Sequence, residues 1–137
     1  MKISMVIPLL NEEESLRPLH EQLVQSLSTV GHPFEIIYID VGSDDGSFEI
    51  LKDLHQNHQN VIVIQFRRNF GKSAALAAAF SEVSGDIVFT LDADLQDDPA
   101  EIPRFLAKLD EGNDLVTGWK FPRLDPVGKT LPSKLYN

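Results

Sequence analysis

The chain has 137 residues, 42% hydrophobic and 24% charged, the make-up of one soluble globular domain large enough to bury a core without staples. No apolar run approaches the ~20 residues that span a bilayer, and the opening MKISMVIPLLNEEE meets Pro8 and three glutamates too soon to be a signal peptide. A net charge of −9 argues against a nucleic-acid-binding surface, and the lack of cysteine excludes disulfides and thiolate metal sites, in keeping with the cytoplasm.

KISMVIPLL comes first, a nearly unbroken apolar run of the kind found in a strand covered on both faces. Leu16, Leu19, Leu23, Leu27 and Val30 then recur at spacings of three and four, which predicts an amphipathic helix. FEIIYIDV (34–41) predicts a second buried strand, and Ile50, Leu51 and Leu54 predict a helix over 47–58. VIVIQF (61–66) repeats the strand pattern. KSAALAAAFSEVSG predicts an alanine-rich helix able to approach a sheet closely, with Gly85 as its stop. DIVFTLD (86–92) gives a fourth strand, a helix follows from Pro99 to about Leu109 ahead of Gly112, and DLVTGW (114–119) reads as a fifth strand. This alternation predicts an α/β fold, an open and mostly parallel sheet with helices on both faces and right-handed crossovers. In FPRLDPVGKTLPSKLYN proline and basic residues gather, and the chain stops without a further cap or strand, which reads as part of something longer.

Ligands of such a sheet bind beyond the carboxyl ends of its strands, where this chain reads NEEE, DVGSDDGS, RRNFGKS and DADLQDD. Two carboxylates ~5 Å apart repel by roughly 3 kcal/mol at an effective dielectric near 20, so Asp92, Asp94, Asp97 and Asp98 need solvent or compensation. Mg²⁺ or Mn²⁺ supplies it, because hard cations take oxygen ligands. Asp92, Asp94 and Gln96 alternate along what reads as an extended segment and so fall on one side. Asp97 and Asp98, just before Pro99, suit the start of a helix. Arg67, Arg68 and Lys72 surround a helix N-terminus that favours an anion, and the plainer reading of them is a solvated basic turn. Neither RRNFGKS nor GSDDGS has the spacing of a P-loop or a dinucleotide fingerprint. Alone, VGSDDGS also reads as a glycine-rich turn that opens a helix through Asp45 or Ser47. His20, His32, His55 and His58 lie in helices and a loop away from these motifs and are expected at the surface.

Taken together, VIPLLNEEESL, DVGSDDGS, RRNFGKSAALAAAF and LDADLQDDPAEIP resemble the family 2 glycosyltransferases of GT-A fold. The match looks closest to the polyprenyl-phosphate group that includes dolichol-phosphate mannose synthase, and it extends over nearly the whole chain. The resemblance implies a Rossmann-like nucleotide-sugar-binding sandwich in an enzyme that transfers a sugar from a UDP- or GDP-sugar to a polyprenyl phosphate. Position by position, it implies that Pro8, Leu9, Asn11, Glu12 and Asp40 line the nucleotide and that Arg68 and Lys72 form a basic nucleotide-side loop. It further implies that Asp92 and Asp94, the catalytic pair, hold Mg²⁺ or Mn²⁺ together with Gln96. Family members usually carry a second aspartate before GS that contacts the nucleobase; Val41 stands there in this chain.

Family members also continue well beyond LPSKLYN with an acceptor-binding half and usually C-terminal membrane helices, which associates them with the cytoplasmic face of a membrane. The expected division is therefore a donor-binding domain over 1–120 and the start of an incomplete acceptor-side region over 121–137, a truncated chain inactive alone. Its partners are then a nucleotide-sugar donor and, through the missing region, a lipid-phosphate acceptor at the membrane. Apolar surface left open by that region favours self-association into a homo-oligomer. Two other readings stand beside this one. The first is a non-catalytic Rossmann-like binding or interaction module. The second is a Mg²⁺-dependent phosphotransferase, whose aspartyl nucleophile normally follows the first strand, where this chain has PLLNEEE.

Overall fold

The structure is a computed structural model and describes residues 1–112. The expected fifth strand over 114–119 and the acceptor-side region over 121–137 lie outside the described residues. The strands β1 (Ile3–Leu9), β2 (Phe34–Asp40), β3 (Val61–Gln65) and β4 (Ile87–Thr90) form one parallel sheet in the order β3-β2-β1-β4. Between them run α1 (Leu16–Val30), α2 (Ser47–Asn57) and α3 (Lys72–Glu82). The expected α/β sandwich is therefore present.

The chain steps sideways from β1 to β2 to β3, then returns past both to set β4 on the far side of β1. Right-handed crossovers then put α1 and α2 on one face and α3 on the other. Because alternate strand residues point to opposite faces, the core divides in two. Ile3, Met5, Ile7, Ile36 and Tyr38 are fully buried on the α1 and α2 side, as are Leu16, Leu19, Leu23, Leu27 and Leu51 of those helices. Val6, Ile37, Ile39 and Val41 point the other way and form one cluster with Ala75 and Ala79 of α3. Both alanines are fully buried, so α3 lies close to the sheet as its composition predicts.

A buried carboxylate fastens the end of the sheet where the strands begin. Glu35, 5% exposed, accepts the Ser4 hydroxyl at 2.6 Å, the Ser84 amide at 2.8 Å and the Ser84 hydroxyl at 2.9 Å, with Lys2 Nζ at 3.5 Å. Burial would raise its pKa, but these hydrogen bonds and the Lys2 charge prevail and hold it below the usual carboxylate range. Gly85, expected as a helix stop, belongs to this end instead. The helix already ends at Glu82, and a Cβ on Gly85 would come within 2.5 Å of Ser4 Oγ and 2.9 Å of the Lys2 carbonyl oxygen.

The first compact unit spans Met1–Ala100 and the second starts at Glu101. The helix expected from Pro99 begins as a 3₁₀ turn, Pro99–Glu101, and becomes α-helical as α4 only over Ile102–Asp110. Among the described residues, no helix is long and apolar enough to cross a membrane.

One histidine departs from the expected surface placement. His32, His55 and His58 are exposed, but His20 occupies the buried face of α1, 5% exposed, with Nδ1 2.8 Å from the Tyr38 hydroxyl. It sits four residues after Leu16, inside the apolar stripe, and the leucine count alone hid it. Burial first, and the neighbouring His58 second, lower its pKa from 6.5 to about 4, while burial raises that of Tyr38.

Folded His20 is thus neutral, and the unfolded chain takes up the proton first as pH falls. Its contribution to stability is whole above pH 6.5 and is lost between there and about pH 4, by up to about 3 kcal/mol. Chemical unfolding followed from neutral pH down to 4.5, the ordinary Glu35 value below which its depressed carboxyl starts to titrate, should show this decline. The decline should flatten in His20→Gln. Val41 supplies a second test, because its side chain is 7% exposed within the α3 cluster. Val41→Asp should lower the unfolding free energy by about 2–4 kcal/mol through an unpaired buried carboxylate. Unchanged stability would mean that the aspartate escapes the core toward the strand ends.

Candidate functional site

The order of the sheet reverses between β1 and β4, and at such a point the two following loops diverge and leave a crevice. Residues 10–15 border it on one side and residues 91–96 on the other. A groove of about 540 Å³ opens here, lined by Asn11, Glu12, Glu13, Glu14, Ser15, Asp45 and Leu95. The only non-glycine residues with positive φ among the described residues stand on its two banks, Asn11 at 53° and Leu95 at 65°. Backbone held in that region costs on the order of 1 kcal/mol or more per residue and tends to mark functional loops.

The β1–α1 and β2–α2 loops are knitted together. Ser43 Oγ accepts the Asn11 amide at 2.8 Å, Ser47 Oγ the Glu12 amide at 2.9 Å and Asp45 Oδ2 the Glu13 amide at 3.3 Å. In return Asn11 Oδ1 accepts the Asp44 amide at 2.9 Å and Glu13 Oε2 the Gly46 amide at 2.9 Å. Asp45 also accepts the Ser47 amide at 2.8 Å in the turn ahead of α2, whose N-cap position is Gly46. Slight burial would raise the Asp45 pKa, but the hydrogen bonds from Ser47 and Glu13 outweigh it and hold the group low. Ser15 crosses to the opposite bank, its Oγ 2.7 Å from the Ala93 carbonyl oxygen and 2.7 Å from Glu12 Oε2.

Asp40, the last residue of β2, lies beneath the β2–α2 loop. It is fully buried, and Oδ1 accepts the amides of Gly42 at 3.2 Å and Ser43 at 2.8 Å. Its Oδ2 is the one buried side-chain oxygen without a partner among the described residues. A carboxylate oxygen left in that state is an acceptor waiting for a donor. Gly42, at φ 101°, brings this turn against the next loop. A Cβ there would stand 3.3 Å from the backbone of Arg68 and Asn69.

The acidic segment after β4 is a turn where an extended run was expected. Asp94 Oδ1 accepts the Gln96 amide at 3.1 Å, and Leu95 adopts its left-handed φ directly between them. Strict alternation therefore does not bring Asp92, Asp94 and Gln96 to one side. Asp97 also differs from expectation. Its Oδ2 accepts the Asp92 amide at 3.2 Å and braces this turn, leaving Asp98 alone at the following helical turn with its Oδ1 3.0 Å from the Ala100 amide.

Lys72, in the first turn of α3, reaches Asp92 Oδ1 at 2.9 Å. Arg68 lies elsewhere, its guanidinium 4.8 Å from the centre of the Phe70 ring. Pro8 and Leu9 belong to β1, with the Leu9 side chain 4% exposed, and neither lines the groove. The donor set suits a hard divalent ion: two carboxylates and an amide oxygen, with an ammonium group already seated on Asp92. No three His, Cys, Asp or Glu residues gather around one point among the described residues, so a metal would need Asp94 to turn from its own loop. Sequence reasoning missed Ser15 and Ser43 as builders and read Ser47 only as an opener of the second helix. The alternation of Ser43, Asp45 and Ser47 was the available signal.

Comparisons with known proteins agree with this geometry. The family model described as glycosyl transferase family 2 matches residues 4–135. Undecaprenyl-phosphate 4-deoxy-4-formamido-L-arabinose transferase of Salmonella paratyphi B is 44% identical over 137 residues, 99% of this chain and 42% of its own length. The chain thus spans less than half of the curated relatives it matches. Among solved structures, Staphylococcus aureus TarS 1-349 in complex with UDP-GlcNAc is 24% identical with a TM-score of 0.67, covering 92% of this chain and 37% of that one. Glucosyl-3-phosphoglycerate synthase from Mycobacterium tuberculosis, in complex with Mn²⁺, UDP and phosphoglyceric acid, is 27% identical with a TM-score of 0.61, covering 79% of this chain and 38% of that one. With the family model matched across almost the full chain and the parallel sheet carrying its polar loops at one end, the protein belongs to glycosyl transferase family 2.

Proposed function

We propose that the chain is the donor-binding portion of a glycosyltransferase that moves a sugar from a UDP- or GDP-sugar to a polyprenyl phosphate at the cytoplasmic face of a membrane. Residues 1–120 form the donor domain in this reading, and 121–137 begin the acceptor side. The observation that carries it is the pairing of Lys72 with Asp92 at the mouth of the crevice, a cation and a carboxylate poised to part around a diphosphate. The lipid acceptor is inferred from the named activity of the Salmonella relative, and the divalent metal from the Mn²⁺ and UDP held by the mycobacterial neighbour.

Asp92, Asp94 and Gln96 would hold Mg²⁺ or Mn²⁺. When bound, such an ion offsets charge that develops on the departing nucleoside diphosphate. The chain's own residues do the rest. Lys72, released from Asp92, and Arg68, freed from Phe70, neutralise phosphate oxygens on the nucleotide side. Asp40 Oδ2 accepts a hydrogen bond from the nucleoside, which satisfies its unpartnered oxygen, while Asn11 and Glu12 fix the ribose end through a loop already braced by Ser43 and Ser47. An acceptor phosphate has its second pKa near ~6 and is an oxyanion at neutral pH, so its oxygen attacks the anomeric carbon with little help from a general base. The anomeric carbon–oxygen bond to the diphosphate breaks as the new one forms.

Calorimetry with Mn²⁺ followed by UDP, UDP-glucose or GDP tests the donor half directly. Nucleotide binding should require metal. Asp94→Ala should weaken the metal-dependent part by more than the roughly tenfold to hundredfold that loss of an outer-shell partner costs. UDP binding with the same metal dependence in Asp94→Ala would remove Asp94 from the metal site. Absence of nucleotide binding with Mn²⁺ present would sink the donor-domain reading.

A further inference from the structure

Behind the α1 and α2 helices lies a second group of polar side chains that the donor site does not use. His20 Nε2 is buried and is the one side-chain nitrogen so placed without a partner among the described residues. Its other nitrogen, Nδ1, is fixed by the Tyr38 hydroxyl at 2.8 Å. An imidazole oriented through one nitrogen by a hydrogen-bond partner, with the second free, has the arrangement of a metal-ligating histidine. The ring of His58, just past the end of α2, lies 5.0 Å from that of His20, centroid to centroid, with the planes at 44°. Two imidazoles bound at ~2.0 Å to one tetrahedral ion hold their centroids about 5 Å apart, so little movement would bring both onto a common ion.

We propose that His20 and His58 form a binding site for a borderline divalent cation of the Zn²⁺, Ni²⁺ or Cu²⁺ class, with Tyr38 as the residue that orients His20. Neutral imidazole is the ligating form, and the burial that keeps His20 unprotonated keeps its lone pair available. No cluster of three His, Cys, Asp or Glu ligands exists among the described residues, so water completes the coordination through the exposed side of His58 and the site is weak and exchangeable. Imidazole donors select this class of ion, whereas the oxygen donors of Asp92, Asp94 and Gln96 suit Mg²⁺ or Mn²⁺. The two sites therefore take different metals. A bound ion would join α1 to the end of α2, the helices whose N-terminal loops build the groove.

Titration of Zn²⁺ by calorimetry into the full 137-residue chain, with Mg²⁺ in constant excess to fill the oxygen-donor site, tests the proposal. One Zn²⁺ per chain is expected. His58→Ala, a surface change that leaves the core intact, and His20→Asn should each weaken binding by more than about tenfold, and Tyr38→Phe by about tenfold through loss of the orienting hydroxyl. Imidazole resonances of both histidines should shift together on addition of Zn²⁺. Zn²⁺ binding by His58→Ala equal to that of the parent chain, or no Zn²⁺ binding by the parent chain, would overturn the site.

Discussion

Backbone amides left over at the end of β1 are the constraint on which the groove depends. Once the chain leaves the sheet at Leu9, residues 11–13 have no strand to pair with and no completed helical turn to serve them. Ser43, Ser47 and Asp45 accept these three amides from the next loop, and Asn11 and Glu13 return the service to Asp44 and Gly46. Each such bond contributes only about 1 kcal/mol net, and five of them act together between the two loops. The two loops consequently behave as one body.

That acidic turn shows how opposing charges are managed. Four aspartates stand within seven residues, yet none faces bare repulsion. Asp92 is neutralised by Lys72, Asp94 is spent on the Gln96 amide, Asp97 on the Asp92 amide and Asp98 on the Ala100 amide. Backbone amides of this turn and of the 3₁₀ turn after it thus serve Asp94, Asp97 and Asp98, and Lys72 serves Asp92. Leu95, at φ 65° between Asp94 and Gln96, is the residue that turns the backbone there.

Much of the fold was legible because it rests on periodicity. The four described strands and the first three helices fall where continuous apolar runs and three-and-four spacings put them, and the alanines of α3 announced a close approach that Ala75 and Ala79 make. What escaped the sequence depends on distant partners. Gly85 reads as a helix stop by local rules, but its reason is Ser4, 81 residues away. His20 reads as a surface residue until Tyr38 and His58 close around it. At the site, the residue types and positions were readable from motif order, while the conformation of 92–96 was not. Alternation in a sequence predicts a side only if the backbone is extended, and Leu95 breaks that condition. Val41 illustrates the same limit, since only the pleat of β2 decides that its side chain enters the α3 core.

The fastening around Glu35 bears on the order in which the molecule assembles. Lys2 donates its amide to Asp86 across 84 residues of chain and Gly85 reaches Ser4 across 81, whereas Ser4 meets Glu35 across 31. Closing the longer loop costs about 0.9 kcal/mol more in chain entropy, and it must wait for β2, whose Glu35 supplies acceptors for Ser84. Docking of β4 against β1 therefore closes a longer loop than either pairing among β1, β2 and β3. Asp92 lies two residues past β4, so the position of the acidic bank depends on this long-range pairing.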